Sequence, residues 1–110
     1  MSETMAIILR FREEDAEQFE SAFKAEVYPL WEEFKTQGKF ISASLTPALG
    51  SSKNEKKDGF RDYILHVEVP SRAEHEEFDS EPRFLPFLEK FRAMQPEDPK
   101  VWLGNTLFQV

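Results

Sequence analysis

His66 is the side chain in this sequence whose type and position are best suited to proton transfer. It lies in residues 61–69, where large apolar side chains alternate with other residues, as in a strand with one buried face. The alternation puts His66 on the face opposite Tyr63, Leu65 and Val67. A histidine that faces a semi-enclosed cavity can titrate near neutrality and accept a proton from a phenol or an enol. We take His66 as the catalytic candidate. The competing interpretation is a histidine in a dimer interface, hydrogen-bonded across the sheet, and the lack of a defined catalytic partner for His66 favours it.

Five further side chains are predicted to line a ligand pocket: Arg10, Tyr28, Trp31, Phe78 and Trp102. Arg10 interrupts an apolar segment, so its guanidinium either reaches the strand end or holds an anionic group of a ligand. Tyr28 and Trp31 flank a proline, where rings either line a pocket entrance or pack in the core. Trp102 either walls the cavity or seals a dimer.

Other kinds of site find little support in the residue types. The chain has no cysteine, which excludes disulfides, thiolate catalysis and cysteine-based zinc or iron–sulfur sites. His75 stands among charged residues and is interpreted as a solvated helix residue, and no second histidine lies at metal-ligand spacing from it. No spacing supports a Ser-His-Asp arrangement. We therefore expect no metal and no cofactor.

The charge and length of the chain restrict its partners and its organisation. A formal net charge of -7 makes nucleic acid and anionic membranes poor partners, because both repel an acidic surface. No apolar run approaches the roughly 20 residues that span a bilayer, and the first residues lack the basic-then-apolar order of a secretory signal. We expect a cytoplasmic protein. With 110 residues, the chain is predicted to form one domain over residues 1–110.

Hydrophobic periodicity predicts the elements of the first half. Residues 6–11 are an apolar, β-branched run typical of a strand. From residue 16 to about residue 36, apolar residues recur every three or four positions, which predicts a helix that Pro29 kinks near Tyr28 and Gly38 terminates. Residues 40–46 are a second strand. The polar residues 50–59 predict an exposed, mobile connection rather than a phosphate-binding loop.

The second half repeats the pattern of strand, helix and strand. Residues 61–69 are the clearest strand, and Ser71 is the predicted N-cap of the next helix, with Glu74 completing a capping box. Residues 80–82 interrupt that helix, and Pro82 suits the first turn of a second helical segment. Residues 101–110 are predicted as a final strand that runs to the last residue.

The element order β-α-β-β-α-β is that of the α+β ferredoxin-like fold, an antiparallel sheet with both helices on one face. The opposite face of such a sheet is bare. Here it carries Ile64 and some of the large apolar residues of the first and last strands, whose exposure to water is unfavourable. We expect a second copy of the chain to cover this face, giving a homodimer around a small apolar cavity.

The stretch from Tyr63 to Phe87, YILHVEVPSRAEHEEFDSEPRFLPF, resembles the antibiotic-biosynthesis monooxygenase-like domains of the dimeric α/β-barrel proteins. In those proteins a third strand runs into Ser or Asp, a helix with an aromatic residue follows, and a Ser-Pro-x-Phe-like break precedes a second helical segment. The resemblance extends loosely over nearly the whole chain. It implies a homodimeric barrel with a small-ligand pocket in each subunit. Members include cofactor-independent oxygenases of aromatic polyketides, haem-degrading enzymes and isomerases.

Within this resemblance the haem-degrading members carry a histidine ligand and a tryptophan at positions that here hold Leu88 and Phe78. The resemblance therefore implies no haem. Two functions follow as expectations. The first is a dimeric domain that binds a small hydrophobic or aromatic molecule, or a protein partner, without visible catalytic machinery. The alternative is a cofactor-independent monooxygenase of an aromatic, polyketide-like substrate, in which His66 or Arg10 stabilises the substrate anion.

Overall fold

Four antiparallel strands form one sheet. The computed structural model describes residues 2–53, 55 and 57–110. The strands are β1 (Glu3–Arg12), β2 (Ser42–Pro47), β3 (Phe60–Val69) and β4 (Lys100–Asn105), and their spatial order is β2-β3-β1-β4. Helical segments connect β1 to β2 and β3 to β4, which confirms the predicted β-α-β-β-α-β order and the α+β ferredoxin-like class.

The first helical connection is continuous but changes its winding in the middle. It consists of α1 (Glu13–Ala22), a π-helical turn (Phe23–Val27) and α2 (Tyr28–Thr36). Pro29 has no N–H and its ring would crowd the carbonyl one turn earlier, so the wider turn directly before it accommodates the proline. The predicted helix with a disturbance at Pro29 is thus confirmed. Gly38, with φ of +75°, follows the last turn, as predicted for a terminator.

The second connection is broken into α3 (Arg72–Asp79) and α4 (Leu85–Met94). The Ser71 hydroxyl accepts a hydrogen bond from the Ala73 N–H at 3.3 Å and also bonds the Glu74 carboxylate, so Ser71 is the predicted N-cap. The break covers residues 80–84 and includes the predicted residues 80–82. The predicted place of Pro82 is wrong, since Pro82 lies in the break and Pro86 occupies the first turn of α4. Two short helices instead of one let the chain turn across the sheet face.

Both chain ends differ from the sequence prediction. β1 begins at Glu3, three residues before the predicted start, and β4 ends at Asn105 instead of running to residue 110. The Thr106 N–H donates to the Ser2 carbonyl at 2.9 Å, one position past the Glu3–Asn105 pair, and residues 106–110 form no strand. Of the predicted connection over residues 50–59, Asn54 and Lys56 lie outside the described residues, and the others form no strand or helix up to Gly59.

Aromatic rings fill the space between the sheet and α1. Phe19 is at the centre, stacked on Phe11 at 4.2 Å between ring centroids and 5.0 Å from Tyr63. Phe91 of α4 meets Phe19 edge-on at 5.6 Å. These rings are at most 2% exposed, so this end of the domain is a close-packed core. Across the described residues we find no helix with the length and apolar character needed to cross a membrane.

Candidate functional site

A cavity of about 500 Å³ lies between the sheet and the helices. Its floor is formed by inward-facing side chains of the strands, and its walls by aromatic and aliphatic side chains of the helices; they include Ile7, Leu65, Val67, Trp31, Phe78 and Phe87. This volume falls within the range of about 300–1,000 Å³ typical of sites for small molecules. The cavity is therefore large enough for a ligand of a few fused rings.

The cavity opens between α4 and the edge strand β4. Leu88, Val101 and Leu103 line it and are still 39%, 54% and 42% exposed, so water reaches the cavity between these two elements. The opposite end is closed by the packed rings around Phe19. A cavity that is apolar inside and open at one side admits an uncharged molecule without unfolding of the helices.

One polar cluster reaches the cavity, formed by Glu3 of β1 and by His75 and Asp79 of α3. His75 Nδ1 lies 2.6 Å from Glu3 Oε1, and His75 Nε2 lies 2.8 Å from Asp79 Oδ2. Arg72 donates from Nε to Glu3 Oε2 at 2.7 Å. His75 and Asp79 line the cavity, whereas the Glu3 side chain is only 6% exposed behind the histidine. The three groups form a chain of contacts from the buried strand to the cavity wall.

The pKa values of the two carboxyl groups in this cluster, Glu3 and Asp79, are shifted in opposite directions. Burial acts to raise the pKa of Glu3, but hydrogen bonds from His75 and Arg72 outweigh burial, so this pKa lies below its ordinary value of 4.5. The pKa of Asp79 lies above its ordinary value of 3.8, because desolvation outweighs the attraction of His75. Glu3 is therefore a fixed negative charge at neutral pH, and Asp79 is the carboxyl that binds a proton more readily.

Gln95, at the end of α4, adds a second polar group to the cavity wall. Its Nε2 donates to the Phe91 carbonyl at 3.5 Å, and its Oε1 is buried without a partner among the described residues. A buried acceptor of this kind is unfavourable unless water or a ligand donates to it. The cavity thus presents hydrogen-bond acceptors at Asp79 and at Gln95.

The geometry of the cluster is that of a proton chain and not of a metal site. Glu3 and Asp79 contact different nitrogens of one imidazole, so they stand on opposite sides of the ring and cannot chelate one ion. Within residues 2–53, 55 and 57–110, no group of three or more histidine and acidic side chains is arranged to hold a metal.

Only some of the residues that the sequence predicts to line a ligand pocket border the cavity. Trp31 and Phe78 lie in the cavity wall, and their contact with a ligand stays a prediction. Tyr28 does not; it is 51% exposed at the start of α2. Arg10 and Trp102 are also outside this wall, since both belong to positions of β1 and β4 that face away from the helices.

Arg10 is occupied by carboxylates. Its Nε and Nη2 donate to the two Asp62 oxygens at 2.7 and 2.8 Å, and Nη1 donates to Glu97 at 2.8 Å. Two negative charges therefore surround one guanidinium, which leaves no net positive charge to attract an anionic ligand. Of the two sequence-based interpretations of Arg10, the anion-holding one is not supported by this arrangement.

His66 lies on the sheet face that carries no helices, which we call the open face. In the ladder it stands between Ala6 of β1 and Ser44 of β2, and Trp102 stands beyond Ala6 on β4. Ile64 and Trp102 on this face are 41% and 76% exposed. His66 is thus separated from the cavity by the sheet itself, and its role in catalysis stays a prediction.

His75 is the residue that the sequence interpretation placed wrongly. It is not solvated, because its side chain is only 11% exposed and both ring nitrogens contact carboxylates. Its neighbours in sequence are mostly charged, which is the usual pattern of a solvated helix face. The partner that buries it, Glu3, is 72 residues away and precedes the predicted start of β1, so no local signal indicates the contact.

Comparison with solved structures gives the fold an independent test. A candidate antibiotic biosynthesis monooxygenase from Caulobacter crescentus is 13% identical over 97% of this chain and 91% of its own, with a TM-score of 0.74. SnoaB, a cofactor-independent oxygenase from Streptomyces nogalater, is 17% identical over 100% and 98%, with a TM-score of 0.66. This chain has the fold of the antibiotic biosynthesis monooxygenase-like proteins. No family profile and no curated protein sequence matches it.

The same fold also supports other chemistry. A hydroxynitrile lyase from Passiflora edulis is 14% identical over 98% of this chain and 97% of its own, with a TM-score of 0.63. Proteins described as an oxygenase and as a lyase thus share one backbone arrangement with this chain. The reaction must therefore be argued from the side chains of the cavity and not from the fold.

Proposed function

We propose that this protein is a homodimer that binds a small, mainly apolar molecule of aromatic size in the cavity of each protomer. The observation that carries the proposal is the cavity of about 500 Å³ between sheet and helices, apolar in its walls and open between α4 and β4. Protein interiors pack closely and keep few voids larger than a water molecule. A void of this size next to a close-packed aromatic core is best explained by an occupant.

The ligand is expected to be neutral over most of its surface and to carry one or two hydrogen-bond donors. Apolar side chains dominate the wall, so transfer of an aromatic molecule from water is favourable at about 25 cal/mol per Å² of buried apolar area. The polar positions at Asp79 and at Gln95 Oε1 both accept hydrogen bonds, which favours hydroxyl or amino groups on the ligand.

A second copy of the chain is the proposed cover of the open face. Ile64 and Trp102 are exposed there, and a monomer would leave this apolar area in water. The face carries charges of both signs: Arg10 bonds Asp62 within it, and Lys100 and Glu68 also belong to the outward set. For a chain of net charge -7, a surface whose basic side chains offset part of the acidic charge is where two copies meet with less repulsion.

Filling the cavity tests the binding proposal. Ile7→Trp places an indole on the cavity floor, and the affinity for 2-methoxynaphthalene, measured by isothermal titration calorimetry, is expected to fall at least about tenfold because the ring takes the ligand's volume. Ala93→Trp, on the exposed side of α4, is the matched control and should bind as the unaltered protein does. Equal affinity of all three proteins would contradict binding in this cavity.

Cofactor-independent oxygenation is the second candidate function. It is supported by the fold likeness to SnoaB and by the proton-binding groups in the cavity wall. Oxygen uptake with a dihydroxynaphthalene tests it, with a rate above that of the protein-free solution as the supporting result. If the reacting ring lies on the open face, His66→Ala abolishes the uptake; if it lies in the cavity, His66→Ala leaves the uptake intact and Ile7→Trp abolishes it.

A further inference from the structure

Each ring nitrogen of His75 faces a carboxylate oxygen, and a neutral imidazole carries a hydrogen on only one of its two nitrogens. Glu3 is buried and ionised, so the Nδ1 atom that faces it at 2.6 Å carries a hydrogen and donates. The contact of Nε2 with Asp79 Oδ2 at 2.8 Å then needs one more hydrogen, because a lone pair facing a carboxylate oxygen is repulsive. That hydrogen is either on Nε2 or on Oδ2. The His75–Asp79 pair therefore holds one exchangeable proton beside the cavity.

The groups around the His75–Asp79 pair determine which of its two residues a ligand can reach. Glu3 from β1 supplies a negative charge behind His75, and Arg72 from α3 contacts that same carboxylate. Arg92 of α4 lines the cavity as a further charged residue. His75 is held by contacts at both nitrogens, whereas Asp79 contacts it through Oδ2 and exposes 55% of its side chain. Asp79 is therefore the member that a ligand can reach.

We propose that Asp79 is the proton acceptor for a weakly acidic hydroxyl group of the ligand in the cavity, positioned by His75 and, through it, by Glu3. The ligand class is an apolar ring system that carries a phenolic or enolic O–H. The step starts with the shared hydrogen on His75 Nε2 and with Asp79 ionised; the ligand O–H bond then breaks and an O–H bond forms on the Asp79 carboxylate. The electron pair stays on the ligand oxygen, so the negative charge moves from Asp79 to the ligand. His75 keeps its hydrogen bonds during the step and is a positioning residue.

This inference rests on the proposed function, because it needs a ligand in the cavity, but a matched pair of probes separates the two. 2-Naphthol and 2-methoxynaphthalene share the ring system, and only the first donates a hydrogen bond. We expect the unaltered protein at pH 7 to bind 2-naphthol about fivefold more tightly, since a hydrogen bond to a charged acceptor is stronger than one to water. The preference should decline as the pH falls toward the raised pKa of Asp79, where the acceptor becomes protonated.

Asp79→Asn removes the charge with little change of shape. The ratio of the affinities for 2-naphthol and 2-methoxynaphthalene is then expected to fall from about five to close to one. Glu76→Gln, an exposed carboxylate on the same helix, is the matched control and should keep the preference. Equal binding of the two probes by the unaltered protein overturns the inference but leaves the proposed function intact. A preference that survives in Asp79→Asn puts the hydroxyl on another acceptor, such as Gln95, and also overturns it. If neither probe binds, the proposed function fails and the inference fails with it.

Discussion

Trp102→Ala is expected to dissociate the proposed homodimer without unfolding the domain. The indole is 76% exposed on the open face, so only a small part of it is covered within the protomer. If a second sheet covers about 150 Å² of the ring, burial contributes about 4 kcal/mol at about 25 cal/mol per Å². Ordering of the side chain and imperfect packing reduce this to about 2 kcal/mol per ring.

A two-fold axis buries the ring twice, so the substitution should weaken the dimer by about 4 kcal/mol, or nearly a thousandfold in dissociation constant. Sedimentation equilibrium over a range of micromolar concentrations measures this change. Tyr28→Ala is the control, because Tyr28 is also an exposed aromatic residue but belongs to the helical side. A monomeric unaltered protein, or a Trp102→Ala protein that dimerises equally well, would refute the assignment of the open face.

Two further predictions concern stability, measured by urea unfolding at one protein concentration. Phe19→Ala should lower the free energy of unfolding by about 3–5 kcal/mol, because it empties the centre of the aromatic core. Lys24→Ala, on the exposed side of the helix, is the control and should change this free energy little. A loss below about 1 kcal/mol for Phe19→Ala would show that the rings do not form the core. Glu3 has a folded pKa below its ordinary 4.5, so its contribution is present above that pH and is lost as the pH falls through the folded pKa. Glu3→Gln should therefore destabilise the protein at pH 7 more than at pH 3, and an equal effect at both would contradict the ion-paired role of Glu3.

The elements that depend on local periodicity could be predicted from the sequence. The alternation of β3 put Tyr63 inside and Ile64 outside, and the structure agrees. The N-cap at Ser71 depends on residues within three positions of each other, so it too could be read locally. The end of β4 could not, because β4 pairs with β1 and its last pair, Asn105 with Glu3, depends on residues far away in sequence.

The candidate site was the part least accessible to sequence reasoning. Local pattern indicates which side chains share a face of a strand, but not which face borders a void. The residue type of His66 suits proton transfer, yet the sheet separates His66 from the cavity. The charged sequence neighbours of His75 predict a solvated side chain, whereas β1 buries it against Glu3. Both outcomes depend on how the helices pack on the sheet, which no single segment encodes.

The central claim is that a small apolar molecule binds between the sheet and the helices, and neighbouring isoleucines can test it. Ile7 lines the cavity, whereas Ile8 and its ladder partner Ile64 lie on the open face. Intermolecular nuclear Overhauser effects between bound 2-methoxynaphthalene and the methyl groups of the protein distinguish the two sides of the sheet. Binding in the cavity predicts effects to the methyls of Ile7 and Leu65 and none to those of Ile8 and Ile64. Effects confined to Ile8 and Ile64 would contradict the account.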